Sequence, residues 1–188
     1  MIITVKDKNC VWIGVSTETT SWNLHEEDRL CEENFNLWRA EGGSNCLLAS
    51  LCTHGRDLDL LHYRKHMGLS APLSQKNLLL KFVPKLKNLL EECDMMDGKE
   101  GWQTLVVAKK DRAFVVLPTF TCYEVEDFDV RARYEEDYLY GAMMQNHHLP
   151  PAERIADAFR AVRELRPNKV FPIVIMNTET KERILISE

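Results

Sequence analysis

Little in this sequence ties it to nucleic acid, a membrane or an oxidising compartment. Its 24 Lys and Arg are outnumbered by 29 Asp and Glu, giving a formal charge of −5, and no basic stripe gathers the cations that are present. Binding phosphates needs clustered Lys and Arg, so a nucleic-acid or anionic-membrane surface is not expected. No apolar run is long enough to span a bilayer, and residues 1–9 lack the basic-then-apolar layout of a secretory signal. A cytoplasmic location is the expectation. The six cysteines, Cys10, Cys31, Cys46, Cys52, Cys93 and Cys122, contain no C-x-x-C pair, which argues against a zinc knuckle or a disulfide framework and for reduced core thiols. With 8 Gly and 7 Pro and no low-complexity tract or fixed repeat, a fibrous or disordered chain is also excluded.

What is present suits one packed domain. Hydrophobic residues make up 45% of 188 positions, enough for a sizeable core in a single unit spanning 1–188. The chain opens as a hairpin, strands over 2–6 and 10–15 joined by a polar turn at Asp7-Lys8-Asn9. A polar, acidic stretch over about 16–34 reads as a surface insertion. A second hairpin follows, 35–39 and 46–52 around Gly42-Gly43-Ser44-Asn45. Leu58, Leu61 and Lys65 mark a helix, and Ser74 caps another whose Leu79, Phe82, Val83, Leu86, Leu89 and Leu90 form a stripe, with a kink expected at Pro84. Strands over 104–108 and 113–117, a shorter one over 121–125, helices over 134–146 and from Pro151, and strands over 170–176 and 183–186 complete the chain. In the last helix Ile155, Phe159, Val162 and Leu165 share a face. Strands, helices, strands, helices, strands, with hairpins in each block, predict an α+β fold: a four-layer αββα sandwich of two antiparallel sheets flanked by helix pairs.

That order, with several local stretches, resembles the HslV and proteasome β-type family of N-terminal-nucleophile hydrolases. Leu47-Leu48-Ala49-Ser50 leading to Gly55-Arg56-Asp57 is similar to the family's strand, small-residue turn and helix start. Val125-Glu126-Asp127 through Tyr138-Leu139-Tyr140-Gly141-Ala142 resembles its acidic strand and Tyr-containing helix. Leu149-Pro150-Pro151 and Ile173-Val174-Ile175-Met176-Asn177-Thr178 resemble its next helix start and late strand. Together they cover residues 1 to about 178.

The chemistry implied by that resemblance needs an N-terminal Thr, Ser or Cys whose own α-amine, titrating near neutrality, serves as base. Here Met1 precedes Ile2, a residue too large for routine methionine removal, so Met1 is expected to stay. Cleavage after Ile3 would expose Thr4, but would leave only two or three residues of strand before the turn. Ser16 stands where the family has an acidic residue. Trp38, or Arg39 with a slip of one, stands at the lysine position, and an arginine cannot share its proton as a perturbed ammonium can. Arg133-Tyr134-Glu135-Glu136-Asp137 replaces the family's Gly-Ser-Gly-Gly turn. Met1, Ser16, Trp38, Arg39 and Tyr134 are therefore expected as vestigial active-site positions.

The expectation is a catalytically silent scaffold or binding subunit. The resemblance implies self-assembly into a homo-oligomer, with rings as one form and a related subunit or an ATPase as partner. The alternative is a threonine-type peptidase or other amide hydrolase matured at an unusual site, with Thr4 or Ser16 as nucleophile. Neither metal nor cofactor is expected. The carboxylates Glu124, Glu126, Asp127, Asp129, Glu135, Glu136 and Asp137 read first as a solvated face, and His62 with His66 lacks a third ligand. Trp12, Trp38 and Tyr134 could also wall a small-ligand cleft.

Overall fold

The computed structural model describes residues 1–16, 37–40, 46–52, 67, 69, 71–101, 103–165, 170–180 and 182–187. The insertion beyond Ser16, the turn at 42–45, the helix over 58–65 and the His62–His66 pair lie outside the described residues.

Two five-stranded antiparallel sheets stack face to face. The first has the order β10-β1-β2-β11-β12, built from β1 (Ile2–Lys6), β2 (Val11–Ser16), β10 (Phe128–Arg131), β11 (Ile173–Asn177) and β12 (Arg183–Ile186). The second runs β3-β4-β7-β8-β9: β3 (Leu37–Arg39), β4 (Cys46–Cys52), β7 (Gln103–Lys109), β8 (Arg112–Val116) and β9 (Cys122–Glu124). A short ribbon of β5 (Met96–Asp97) and β6 (Glu100–Gly101) stands apart.

Period-two alternation assigns each strand residue to one of two cores. Between the sheets Ile2, Val11, Ile13, Val15 and Val174 meet Leu47, Ala49, Val106, Ala108 and Val115. On the outer face of the first sheet, Ile3, Val5, Ile173 and Ile175 pack under α3 (Glu136–Gln145) and α4 (Pro151–Leu165), through Leu139, Met143, Ile155, Phe159 and Val162. Outside the second sheet, Leu48, Leu105, Val107 and Phe114 lie under Leu78, Phe82, Leu86 and Leu90. The expected four-layer αββα sandwich is the observed fold.

Two details differ from expectation, and one gives the helix at Pro84 its local form. There α1 (Gln75–Asn77) passes into a π-turn (Leu78–Phe82) and then α2 (Val83–Glu92), with Val83 N–H bonded to Leu78 O. The wider turn adapts the hydrogen-bond ladder next to a residue that has no N–H to give. Ser74 caps this helix as predicted, its hydroxyl accepting from Asn77 N–H at 3.2 Å. Leu165 leaves the apolar face and is 52% exposed; three residues past Val162 it has turned about 60° further round, at the helix's last position. Finally, β10 was hidden in sequence because Phe-Asp-Val-Arg carries two charges. It is an edge strand, and Asp129 and Arg131 bond to each other on it at 2.9 Å.

Candidate functional site

The β1–β2 hairpin places its residues by simple arithmetic. Lys6 lies opposite Val11 and Ile2 opposite Val15, so the next pair outward is Met1 with Ser16. Ser16 N–H donates to Met1 O at 3.1 Å, and the Met1 amino group donates to Ser16 Oγ at 3.0 Å. Both residues are buried, 4% and 5% exposed, and Ser16 is also opposite Ile173 of β11. The Met1 side chain belongs to the core formed with Val130, Leu139 and Met143 beneath α3. An amine and a hydroxyl thus meet at the end of the first sheet, but they come from two residues on neighbouring strands.

Thr4 lies in mid-strand, opposite Ile13 on one side and Asp129 on the other. It is 0% exposed, and its Oγ1 has no hydrogen-bond partner among the described residues.

The positions at the end of β3 go elsewhere. Trp38 packs on the outer core, under α2, while Leu37 beside it faces the other sheet. Arg39 reaches across the sandwich, donating from Nη2 to Asn177 O at 2.8 Å and also to Thr180 O. Asn177 is opposite Trp12, at the far end of β2 from Ser16. Four strand steps, roughly 13 Å, separate the two ends. Burial lowers the Arg39 pKa from its ordinary value, though a guanidinium remains charged in any case. Arg39 thus clamps the turn after β11, where Asn177 Oδ1 also accepts from Glu179 and Thr180 N–H at 2.9 and 2.7 Å.

Tyr134 is 69% exposed, with the Arg133 guanidinium 5.9 Å from its ring centre. The next residue turns inward: Glu135 is 3% exposed, and its Oε2 accepts from Tyr134 N–H at 3.3 Å. Trp12, Trp38 and Tyr134 therefore do not converge on one cleft, because Trp12 and Trp38 pack on the outer faces of different sheets and Tyr134 stands in solvent.

The acidic stretch is divided among separate pairings. Arg112 binds Glu124 through Nε at 2.7 Å, holding that carboxyl below its usual range. Arg131 binds Asp129 at 2.9 Å and Glu136 at 3.4 Å, and also donates to the Tyr123 hydroxyl. Burial, then the Asp129 charge, pushes the Tyr123 pKa up. Among the described residues no group of three His, Cys, Asp or Glu is placed to hold a metal ion.

Of the residues singled out in sequence, Met1 and Ser16 are brought together, whereas Trp38, Arg39 and Tyr134 are dispersed. The direct opposition of Met1 and Ser16 was missed; the register of a tight hairpin about 7–10, in which residue numbers sum to 17, was the signal for it.

Two stacked antiparallel sheets between helix layers are the fold of the proteasome-like N-terminal-nucleophile hydrolases. Solved structures of that class superpose over almost the whole chain. Thiobacillus denitrificans BPH, in a complex with epoxomicin, matches with a TM-score of 0.70 at 17% identity, covering 94% of this chain and 96% of its own. Anbu, the ancestral beta-subunit, from Yersinia bercovieri gives 0.68 at 12% identity over 100% of this chain and 87% of its own. Eukaryotic HslV from Trypanosoma brucei gives 0.57 at 12%, covering 94% and 97%. At such identities the likeness is one of fold. No protein-family profile matches the chain, and no curated protein does. Among the described residues no helix is long and apolar enough to cross a membrane.

Proposed function

We propose that this chain is a proteasome-like subunit that works by assembling with further copies of itself rather than by hydrolysing peptides at an N-terminal threonine. The observation that carries this reading is Met1: immediately before β1, it puts a thioether into the core at 4% exposure, where the mechanism of this fold class requires a hydroxyl. Thr4 offers no substitute, since it is enclosed between two paired strands. Exposed aromatic and apolar side chains on and beside α3, Tyr134, Tyr138, Tyr140 and Met144, supply a surface for association.

Intact-mass measurement before and after incubation with epoxomicin tests the first half. The expected result is a chain that retains Met1 and gains no adduct. A chain beginning at Thr4, or a covalent epoxomicin adduct, would replace this reading with a threonine-type peptidase. Light scattering coupled to size exclusion tests the second half, and a monomer at all accessible concentrations would end the assembly reading.

A second reading is supported by the 3.0 Å contact between the Met1 amine and Ser16 Oγ. A free α-amine titrates at about 7.7–8.0, so the fraction that is unprotonated near neutral pH can take a hydroxyl proton. Ser16 would then be the nucleophile of an amide or ester hydrolase. Labelling by a fluorophosphonate at Ser16, absent in Ser16→Ala, would install it; an unlabelled Ser16 would remove it.

A further inference from the structure

We infer that the outer face of the helix formed by α1, the π-turn and α2 docks on an anionic phospholipid bilayer, with Leu79 and Leu80 dipping among the lipids while the lysines around them meet the headgroups. The inference goes beyond the assembly reading and stands whether the chain works singly or as an assembly.

Charge is spread unevenly along this acidic chain. No Asp or Glu occurs between Asp59 and Glu91, a segment that holds six of the 24 Lys and Arg: Arg64, Lys65, Lys76, Lys81, Lys85 and Lys87. The last four belong to the helix, and all four are exposed. Scattered among apolar residues in the sequence, they become a row only as the helix winds, which corrects the expectation that no basic stripe forms. The π-turn aligns them. Its i→i+5 bond, Val83 N–H to Leu78 O, takes up one residue more than an α-turn does. Lys76 and Lys81 therefore stand about one turn apart, as do Lys81 and Lys85 in the α-helical stretch that follows.

The same turn carries apolar side chains outward. Leu79 is 41% exposed and Leu80 65%, the latter the most exposed aliphatic residue among those described. Leu78, Phe82, Leu86 and Leu90 already hold the helix onto the second sheet, so the exposed pair is not needed for that contact. Leucines ringed by lysines on an outermost helix match a bilayer surface, where lysine stems lie along the acyl boundary and their ammonium groups reach the phosphates. The choice of cation favours lipid over protein. Protein interfaces are depleted in Lys and enriched in Arg, whose planar fork pairs with carboxylates, and every Lys or Arg on this helix is a lysine. The acidic surface elsewhere does not cancel the row. Glu136, Asp137, Glu153, Asp157 and Glu164 lie on the other helix layer, about 30 Å away at about 10 Å per layer, and charge is screened over about 8 Å at physiological salt. Acidic residues resume only where the helix ends, and there Lys87 meets Glu91 at 3.9 Å.

Co-sedimentation of the full chain with vesicles tests the docking. The chain should pellet with vesicles of phosphatidylcholine and phosphatidylserine, stay in solution with phosphatidylcholine alone, and be released by high salt. Each lysine near an anionic leaflet strengthens binding about five-fold, so Lys76→Gln combined with Lys81→Gln should weaken it by roughly 25-fold. Leu79→Ser combined with Leu80→Ser leaves the charge unchanged and should weaken binding several-fold as well. All four residues are exposed, so both double variants should melt close to wild type. A wild-type chain that fails to pellet with the anionic vesicles at low salt, or variants that pellet as well as wild type, would overturn the inference. Tighter binding to polyglutamate or to duplex DNA than to the vesicles, unaffected by the leucine substitutions, would also overturn it and make the face a site for an acidic protein or for nucleic acid.

Discussion

The α-amine of Met1 and the hydroxyl of Ser16 lie 3.0 Å apart across the β1–β2 pairing, both enclosed under the α3–α4 layer. Hydrogen bonds to charged groups contribute about 1.5–3 kcal/mol. Ser16→Ala should therefore destabilise the fold by about that amount, and Ser16→Thr, which keeps the acceptor, by less. Chemical denaturation of the three proteins measures it. Equal stability of wild type and Ser16→Ala would mean that the contact carries no weight.

Thr4 supplies a test with the opposite sign. Its Oγ1 is buried between Ile13 and Asp129 of the flanking strands with no partner among the described residues, and such a hydroxyl costs about 1–3 kcal/mol in desolvation. Valine has nearly the same shape and no polar atom. Thr4→Val should raise stability by roughly 1 kcal/mol and leave every property of the protein intact. A loss of stability, or of any hydrolytic activity, would show that the hydroxyl is used.

The αββα order was legible because the strand blocks alternate cleanly. Val11, Ile13 and Val15 alternate with Trp12 and Gly14, and a tight polar turn fixes their register against Ile2 to Lys6. The same register joins Met1 to Ser16. Position along β3 was harder to read, since its place relative to the first sheet is set by contacts between sheets and leaves no mark on local pattern. Counting residues put Trp38 or Arg39 near the start of β1. In the fold Trp38 faces outward to the α2 core, and Arg39 extends to Asn177 and Thr180 at the other end of the sandwich. The π-turn before Pro84 had no sequence signal beyond the proline itself.

Gly14 explains how closely α4 can approach the first sheet. A Cβ on it would stand 2.3 Å from Ile155 Cγ2 and 3.2 Å from the Phe159 ring. Neither neighbour has room to retreat, since both are fully buried. Gly14→Ala should destabilise by about 1–3 kcal/mol through overpacking. Adding Ile155→Val, which removes a methyl group at the contact, should recover part of the loss. A double-mutant cycle by thermal or denaturant unfolding reads the coupling, and strict additivity would refute the proposed contact.

Cys46 gives the fold a dependence on alkaline pH. It is fully buried on β4 in the outer core, and burial pushes its thiol up to about 12 against a partial offset from the Lys109 charge. In the unfolded chain the same thiol ionises near 8.5. Below that value both states hold the proton, and Cys46 adds no pH dependence. Above it the unfolded state loses the proton while the folded state keeps it, so stability falls as pH rises from about 8.5 toward about 12. Cys46→Ala should flatten this decline, though the small cavity it leaves lowers stability at neutral pH. Denaturation midpoints between pH 7 and 10 for both proteins supply the comparison. An equal alkaline slope in the two would place the titrating group elsewhere.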